Sequence, residues 1–340
     1  MKPIEEFEYK IIEGDNLKVL KEMPSDSVSL IITSPPYFQQ RDYGGKNEEI
    51  GNEEKVEDYV ENLMKVFREC VRILKKDGSI IFNVGDKYKE QNLLLVPYRF
   101  ALKVLEEGQV KLVNEITWVK LNPVPKQYAK RLINSKEPFF HFVKSKNYFH
   151  EINSFLMSPI NKKNKNGNGI GKKYFELIKN SDLSTEEKER ANAELSEIIE
   201  EVKKGDIDGF RMKIRGIHAL PYGGQQGGRM TQILTKGFTI IKIHGNGLKR
   251  DIIESPVETI KGIEHPAIYP EYVVKELIKL LTKEGDIVLD PFIGSGTTAV
   301  ASKKMGRKYI GIDINKKYCK DAEKRLQKIK KDEELEEFII

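Results

Sequence analysis

The chain has 340 residues, 39% hydrophobic and 32% charged, which suits a sizeable core under a heavily charged surface and one large or two ordinary domains. No run of about 18 apolar residues occurs and the opening MKPIEEFEYKIIEGD lacks an apolar stretch, so neither a membrane-spanning helix nor a secretory signal is expected, and the reading is cytoplasmic. The net charge of +6 is confined to residues 205–250, where eight Lys or Arg face two acids; the rest of the chain balances.

In chain order, residues 9–12 (YKII) read as a strand ending at Gly14-Asp15. Residues 28–33 (VSLIIT) are a continuous apolar run, the kind buried on both faces of a parallel sheet. Val60, Leu63, Met64, Phe67, Val71 and Leu74 share one face of a helix predicted over 55–75, with Gly78 as its stop. Strand SIIFNVGD, a helix near 93–106, strand NEITWVK, a break at Asn122-Pro123-Val124-Pro125 and strand EPFFHFVKS follow. This alternation predicts an α/β doubly wound domain.

From about residue 151 the pattern changes. The lysine-rich, low-complexity segment NKKNKNGNGIGKK leads into a helix capped by Ser184, with Glu187 three residues on, that runs to Lys204 with cancelling charges. The basic, glycine-rich segment 205–250 comes next. A helix near 270–283, strand DIVLD, a glycine turn, a helix, strand KYIGIDI and a closing helix near 315–331 restore the α/β pattern. Residues 1–150 and 251–340 are therefore expected to form one discontinuous catalytic and cofactor-binding domain, interrupted by 151–250. Cys70 and Cys319 read as packed, reduced thiols, and the five scattered histidines give no metal-ligand spacing, so no metal is expected.

The stretch DIVLDPFIGSGTTAVASKKMGRKYIGIDIN is strand, glycine turn, helix, strand, acid. Gly294-Ser295-Gly296-Thr297-Thr298-Ala299 fits the loose G-x-G-x-x-[GA] dinucleotide pattern, with Asp313 placed to reach ribose hydroxyls. A tight turn that uses glycine only for its backbone angles fits the same string. Asp290, just before the turn, would repel a pyrophosphate and attract an ammonium, which favours S-adenosylmethionine over NAD. No third strand follows Asp313. Residues 9–12 can supply it beside 308–313, with Asp15 near the adenine; the fold is then circularly permuted.

The strand VSLIIT runs into Ser34-Pro35-Pro36-Tyr37. A rigid strand exit explains a proline pair. The chemical reading is more specific. An exocyclic base amino group is a poor nucleophile because its lone pair is conjugated with the ring. A site that accepts both N–H groups leaves that lone pair facing a methyl donor. Ser34 Oγ and the Pro35 carbonyl are two such acceptors, held by the fixed φ of proline. Tyr37 offers a face on which an extruded base stacks. The following FQQRDYGG, with Arg41 for a phosphate or for Asp42 and Gly44-Gly45 as a hinge, reads as a loop that closes over the base.

The two strings together resemble the amino-group DNA methyltransferases of the N4-cytosine type, in the permuted β arrangement. That family carries S/T-S-P-P-Y before its target recognition region and D-P-F-x-G-S-G-T-T after it. The likeness covers roughly 9–150 and 245–330, including RDYGG, Trp118, Lys120, EPFFHFVKS and HPAIYPEYVVKELI. It implies a Rossmann-like S-adenosylmethionine-dependent methyltransferase sheet with an inserted target recognition region. It also implies S-adenosylmethionine as cofactor, double-stranded DNA as substrate, and a cognate restriction endonuclease as the functional partner of such an enzyme. The site residues carried over are Ser34, Pro35, Pro36 and Tyr37 at the target, and Asp15, His265, Pro266, Asp290, Phe292, Gly294, Ser295, Gly296, Thr297, Thr298 and Asp313 at the cofactor. Family members often have Glu where Asp313 stands.

For DNA, basic residues mixed with amides suit phosphate and base-edge contacts. Arg211, Arg215, Gln225, Gln226, Arg229 and Gln232 are the candidate readers; helix 184–204 is the candidate scaffold. An N6-adenine enzyme, commonly with D/N-P-P-Y, is the nearest alternative, and Ser34 favours cytosine. An RNA methyltransferase and a non-catalytic nucleic-acid binder are further alternatives. A cytosine-C5 enzyme needs a Pro-Cys nucleophile, and neither cysteine follows proline.

Overall fold

The computed structural model describes residues 1–40, 50–123, 130–151, 171–207, 209–218, 228–243, 250–257 and 269–329. The chain divides into two compact units, Met1–Phe155 with Lys249–Ile340, and Leu156–Leu248. The elements run β1 (Lys10–Glu13), α1 (Asn16–Glu22), β2 (Val28–Thr33), α2 (Val56–Ile73), β3 (Leu74–Asn83), β4 (Tyr88–Lys89), β5 (Asn92–Leu93), α3 (Val96–Glu106), β6 (Lys111–Lys120) and β7 (Lys136–Val143). Then come α4 (Lys172–Lys179), α5 (Thr185–Lys204), β8 (Gly209–Ile214), α6 (Arg229–Lys236), β9 (Phe238–Ile243), β10 (Ile252–Ser255), α7 (Glu271–Leu281), β11 (Ile287–Asp290), α8 (Thr297–Lys304), β12 (Lys308–Asp313) and α9 (Lys316–Lys328).

The first unit is built on an eight-stranded sheet of order β1-β12-β11-β2-β3-β7-β6-β10. β1 lies parallel to β12 with Lys10 opposite Ile310 and Glu13 opposite Asp313, the pairing that the permuted order requires. β2 is buried at all six positions, consistent with its unbroken apolar run. Ile31, Ile80, Phe82, Leu289 and Ile310 face a core shared with α2 and α3; Leu30, Ile32, Ile81 and Val288 face the opposite core under α7. The alternation of neighbouring residues between the two cores is the period of two expected of a strand. β7 alone runs against the sheet, antiparallel to both β3 and β6.

Four local expectations change. Gly78 does not stop α2, which ends at Ile73; it lies inside β3, where a Cβ would meet the Ser29 carbonyl oxygen at 2.8 Å, so it permits close strand approach. α1, the β4–β5 hairpin and β10 are present where the sequence reading placed none. They are short, and each is defined by partners rather than by its own periodicity: β10 gains its place by pairing with β6, Ile253 opposite Trp118.

In the second unit α5 has the expected capping box, with Ser184 Oγ accepting from the Glu187 amide and Glu187 accepting from the Ser184 amide, and it ends at Gly205 in the left-handed region (φ 87°). The glycine-rich segment is more ordered than its composition indicates: β8 and β9 pair antiparallel, and Met212, Ile214 and Phe238 pack with Ile178, Ala191, Leu195 and Ile199. Among the described residues no helix is long and apolar enough to cross a membrane.

Candidate active site

β2 carries the chain to the carboxyl edge of the sheet, where Ser34 and Tyr37 are half-buried and Pro35 is buried. Tyr59 of α2 donates to the Pro36 carbonyl at 2.8 Å, and its ring lies 5.6 Å from that of Phe38, which fixes the exit of the proline pair. The acceptor assigned to the target, the Pro35 carbonyl, is the one before it. Tyr37 is seated on Gly85, where a Cβ would stand 2.2 Å from ring atoms Cδ2 and Cε2. Its hydroxyl reaches Asn83 Oδ1 at 2.7 Å and Glu137 Oε2 at 2.8 Å, and Ser34 Oγ lies 3.2 Å from both Tyr37 Oη and Asn83 Oδ1.

β11, the adjacent strand, ends in Asp290, which is 1% exposed. Its Oδ1 accepts from Thr33 Oγ1 at 2.5 Å and the Phe292 amide at 3.0 Å; its Oδ2 accepts from Thr298 Oγ1 at 2.7 Å and Tyr269 Oη at 3.0 Å. Burial pushes this carboxyl above the ordinary range, and the bonds from Thr33, Thr298, Phe292 and Tyr269 pull against it. Burial and then the Asp290 charge push the Tyr269 hydroxyl well up, so it stays a donor. Asp290 is therefore a strut between the Ser34 loop and the glycine turn, beneath the cavity rather than on its wall. The direct attraction of an ammonium read from the sequence gives way to this indirect role.

The glycine turn is fixed from both sides. Gly294 (φ 50°) donates its amide to Asp313 Oδ2 at 2.9 Å, and Asn315 donates to Asp313 Oδ1 at 2.8 Å. Arg325 of α9 donates to the Ser295 carbonyl at 2.7 Å and to Thr297 Oγ1 at 3.1 Å. Gly296 (φ 87°) is the N-cap of α8, and a Cβ there would meet Ala322 Cβ at 2.6 Å. The expectation that a side chain at 296 enters ligand space is corrected: it enters α9. Asp15 caps α1 by accepting from the Lys18 amide at 3.0 Å, and the neighbouring Asn16 donates to the Pro291 carbonyl at 3.2 Å.

These pieces meet at one cavity of about 220 Å³. Ser34, Pro35, Pro36, Tyr37, Asp15, Phe292, Gly294, Ser295, Thr297 and Asp313 line it; Asp290, Gly296 and Thr298 stand behind the wall. His265, Pro266, Arg41, Gln225 and Gln226 lie outside the described residues. The donor set fits S-adenosylmethionine: Asp313 and Asp15 suit hydroxyls and cationic groups and disfavour phosphate, while Leu17, Phe292, Ile293 and Ile314 give a flat ring an apolar slot. Among the described residues no group of acids, histidines and cysteines could hold a metal.

Sequence reasoning missed Tyr269, Asn83, Glu137, Gly85, Asn16 and Arg325. Gly85 had a signal, a glycine directly after the strand SIIFNV; Tyr269 and Glu137 had none beyond lying inside segments that carry the resemblance. In the second unit, Arg211, Arg229 and Gln232 are exposed, and Gln232 Oε1 accepts from Thr239 at 2.5 Å. Arg215 is engaged instead with Glu187 at 2.7 Å, Lys236 with Glu194 at 2.8 Å and Lys242 with Glu201 at 2.7 Å. The positive charge of 205–250 is thus partly offset by α5, which the charge count along the sequence did not reveal.

A family model described as DNA methylase, for N6 and N4 enzymes, matches residues 28–324. The type II methyltransferase M.SfiI of Streptomyces fimbriatus is 26% identical over 92% of this chain and 90% of its own length. In structure the chain is similar to the PvuII DNA methyltransferase, which is cytosine-N4-specific (17% identity, TM-score 0.58, 95% of this chain and 89% of that one). It is also similar to a DNA modification methylase of Thermus thermophilus, TTHA0409, solved in complex with S-adenosylmethionine (20% identity, TM-score 0.51, 93% and 94%). The fold is that of the S-adenosylmethionine-dependent methyltransferases, and S-adenosylmethionine is the methyl donor of DNA methylases. With its eight-stranded permuted sheet and a family match over most of its length, the chain belongs to the N6/N4 DNA methylase family.

Proposed function

We propose that the chain is a type II, site-specific DNA methyltransferase that modifies the N4 amino group of cytosine in double-stranded DNA. The observation that carries this is the opening of Ser34-Pro35-Pro36-Tyr37 onto the same cavity as Gly294, Asp313 and Asp15. Ser34 Oγ and the Pro35 carbonyl accept the two amino N–H groups of a base taken out of the duplex, and Tyr37, braced from behind by Gly85, gives it a stacking face. When bound, S-adenosylmethionine supplies an electrophilic methyl group. Asp313 accepts from its ribose, Gly294 and Phe292 shape the wall beside its chain, and Asp290 keeps that wall in register with Ser34 through Thr33 and Thr298. Both cysteines are buried and neither lines the cavity, in keeping with direct transfer to nitrogen.

Cytosine is favoured over adenine by a serine, rather than Asp or Asn, before the proline pair, and by the likeness to a cytosine-N4-specific fold. The unit Leu156–Leu248 is proposed as the target recognition region, with Arg211, Arg229 and Gln232 as exposed candidates beside Gln225 and Gln226, and with α5 as scaffold. A restriction endonuclease for the same site is the partner that the type II relatives imply. The test is methylation of mixed-sequence DNA by the purified protein, followed by nucleoside mass spectrometry. N4-methylcytosine is expected; N6-methyladenine alone would overturn the cytosine assignment, and no methylated nucleoside would overturn the enzyme.

A further inference from the structure

A line of polar side chains runs from Ser34 to the β6–β7 edge of the sheet. Because β7 is antiparallel to β3 and β6, its first residues meet the carboxyl ends of its neighbours: Glu137 stands opposite Trp118, and Phe139 opposite Asn83. Glu137 and Lys120 are 13% and 18% exposed, and Lys120 Nζ donates to Glu137 Oε1. Glu137 Oε2 lies 2.8 Å from Tyr37 Oη. Asn83 donates through Nδ2 to the Pro138 carbonyl at 3.0 Å, which turns its Oδ1 toward Tyr37 and Ser34.

The direction of these bonds follows from the chemistry of the groups. An ionised carboxylate only accepts, and an ammonium only donates. The Tyr37 hydroxyl has one proton and two acceptors within reach, Asn83 Oδ1 and Glu137 Oε2. The charged oxygen is the stronger of the two. With that proton on Glu137, the Ser34 proton has Asn83 Oδ1 and the Tyr37 oxygen to go to, both at 3.2 Å. The Ser34 lone pairs are then turned away from the network.

We propose that Glu137, held by Lys120, is a positioning residue that sets the direction of this bond chain, so that Ser34 meets the target amino group as an acceptor and not as a donor. The inference rests on the assignment of Ser34-Pro35-Pro36-Tyr37 to the target base. Glu137→Gln reverses the chain without changing its shape. Lys120 still donates to the side-chain oxygen, so the amide nitrogen faces Tyr37. Tyr37 must then donate to Asn83, and the Ser34 proton is displaced toward the amino group.

The experiment is single-turnover methylation of cognate DNA by the full chain, with S-adenosylmethionine affinity and the thermal midpoint measured on each variant. Glu137→Gln should lower the rate at least tenfold while affinity and midpoint stay near those of the wild type. Adding Lys120→Met frees the amide to turn its oxygen toward Tyr37, and should recover several-fold of the lost rate. In a Tyr37→Phe background, Glu137→Gln should cause no further loss. A wild-type rate for Glu137→Gln overturns the proposal, as does a further loss on adding Lys120→Met, or losses for Glu137→Gln and Tyr37→Phe that multiply. Ser34→Ala separates the two readings: if it methylates normally, the target assignment itself fails, whereas if it is inactive and Glu137→Gln is normal, only the positioning role fails.

Discussion

Gly85→Ala tests the seat of Tyr37 by adding one methyl group. The new Cβ would begin 2.2 Å from the ring, and ordinary contact starts at 3.4 Å, so the ring must retreat by about 1 Å. The ring is rigid, so its hydroxyl moves with it and leaves Asn83 and Glu137, now at 2.7 and 2.8 Å. A neutral hydrogen bond contributes about 0.5–1.5 kcal/mol and one to a charged group about 1.5–3 kcal/mol, so roughly 2–4 kcal/mol of orientation is at stake. If the transition state uses that orientation, the rate falls by between one and three powers of ten, at about 1.4 kcal/mol for each. The assay is single-turnover methylation, with calorimetry of S-adenosylmethionine binding as the control, since Gly85 does not line the cavity. A folded Gly85→Ala protein with a rate within threefold of the wild type would refute the reasoning.

Asp313→Ala should weaken S-adenosylmethionine binding by about 1.5–3 kcal/mol, measured by calorimetry, through loss of a charged acceptor. Gly296→Ala should instead lower stability in denaturant unfolding, since φ is 87° and the methyl meets Ala322; the left-handed conformation alone costs roughly 1–2 kcal/mol. Burial holds the His141 imidazole down at about 4 against an ordinary 6.5, so the unfolded chain binds the extra proton between those values. Stability should therefore be complete above pH 6.5 and fall as the pH drops toward 4, by an amount on the order of 3 kcal/mol, and His141→Gln should flatten that slope in pH-dependent denaturation. Arg215→Ala should reduce the stability of the unit that holds Glu187, whereas Arg211→Ala should reduce DNA affinity in a salt-dependent binding assay and leave the thermal midpoint unchanged.

The sheet was legible because its central strands are unbroken apolar runs and because Asp313, with no strand after it, demanded a partner from elsewhere in the chain; residues 10–13 fill that place. The cavity wall was legible where backbone chemistry marks it, at the proline pair and at Gly294. Residues whose importance lies in long-range pairing were not. Nothing near Asp290 in sequence announces Thr33 or Tyr269, and nothing near Tyr37 announces Glu137, one hundred positions away. The two glycines of the turn look alike as letters, yet Gly294 faces the cavity and Gly296 faces Ala322. The charge count misled in the same way, because a sum along the sequence ignores that Arg215 and Lys236 meet acids on α5.

The pairing of β1 with β12 also sets an order of events. Asp15 follows one of these strands and Asp313 ends the other, so the cavity between them exists only after two segments about 300 positions apart have met. Closing a loop of that length carries an entropic cost on the order of 5 kcal/mol, which local contacts do not offset in advance. A nascent chain, still lacking β12 while it is being synthesised, has half a binding site and no means of holding the methyl donor. Ligand that binds only the closed form then stabilises the meeting of these distant segments above all other contacts. Hydrogen exchange at Ile11, Ile12 and Ile310 should accordingly slow more on adding S-adenosylmethionine than exchange in β2, which is sealed on both faces without it.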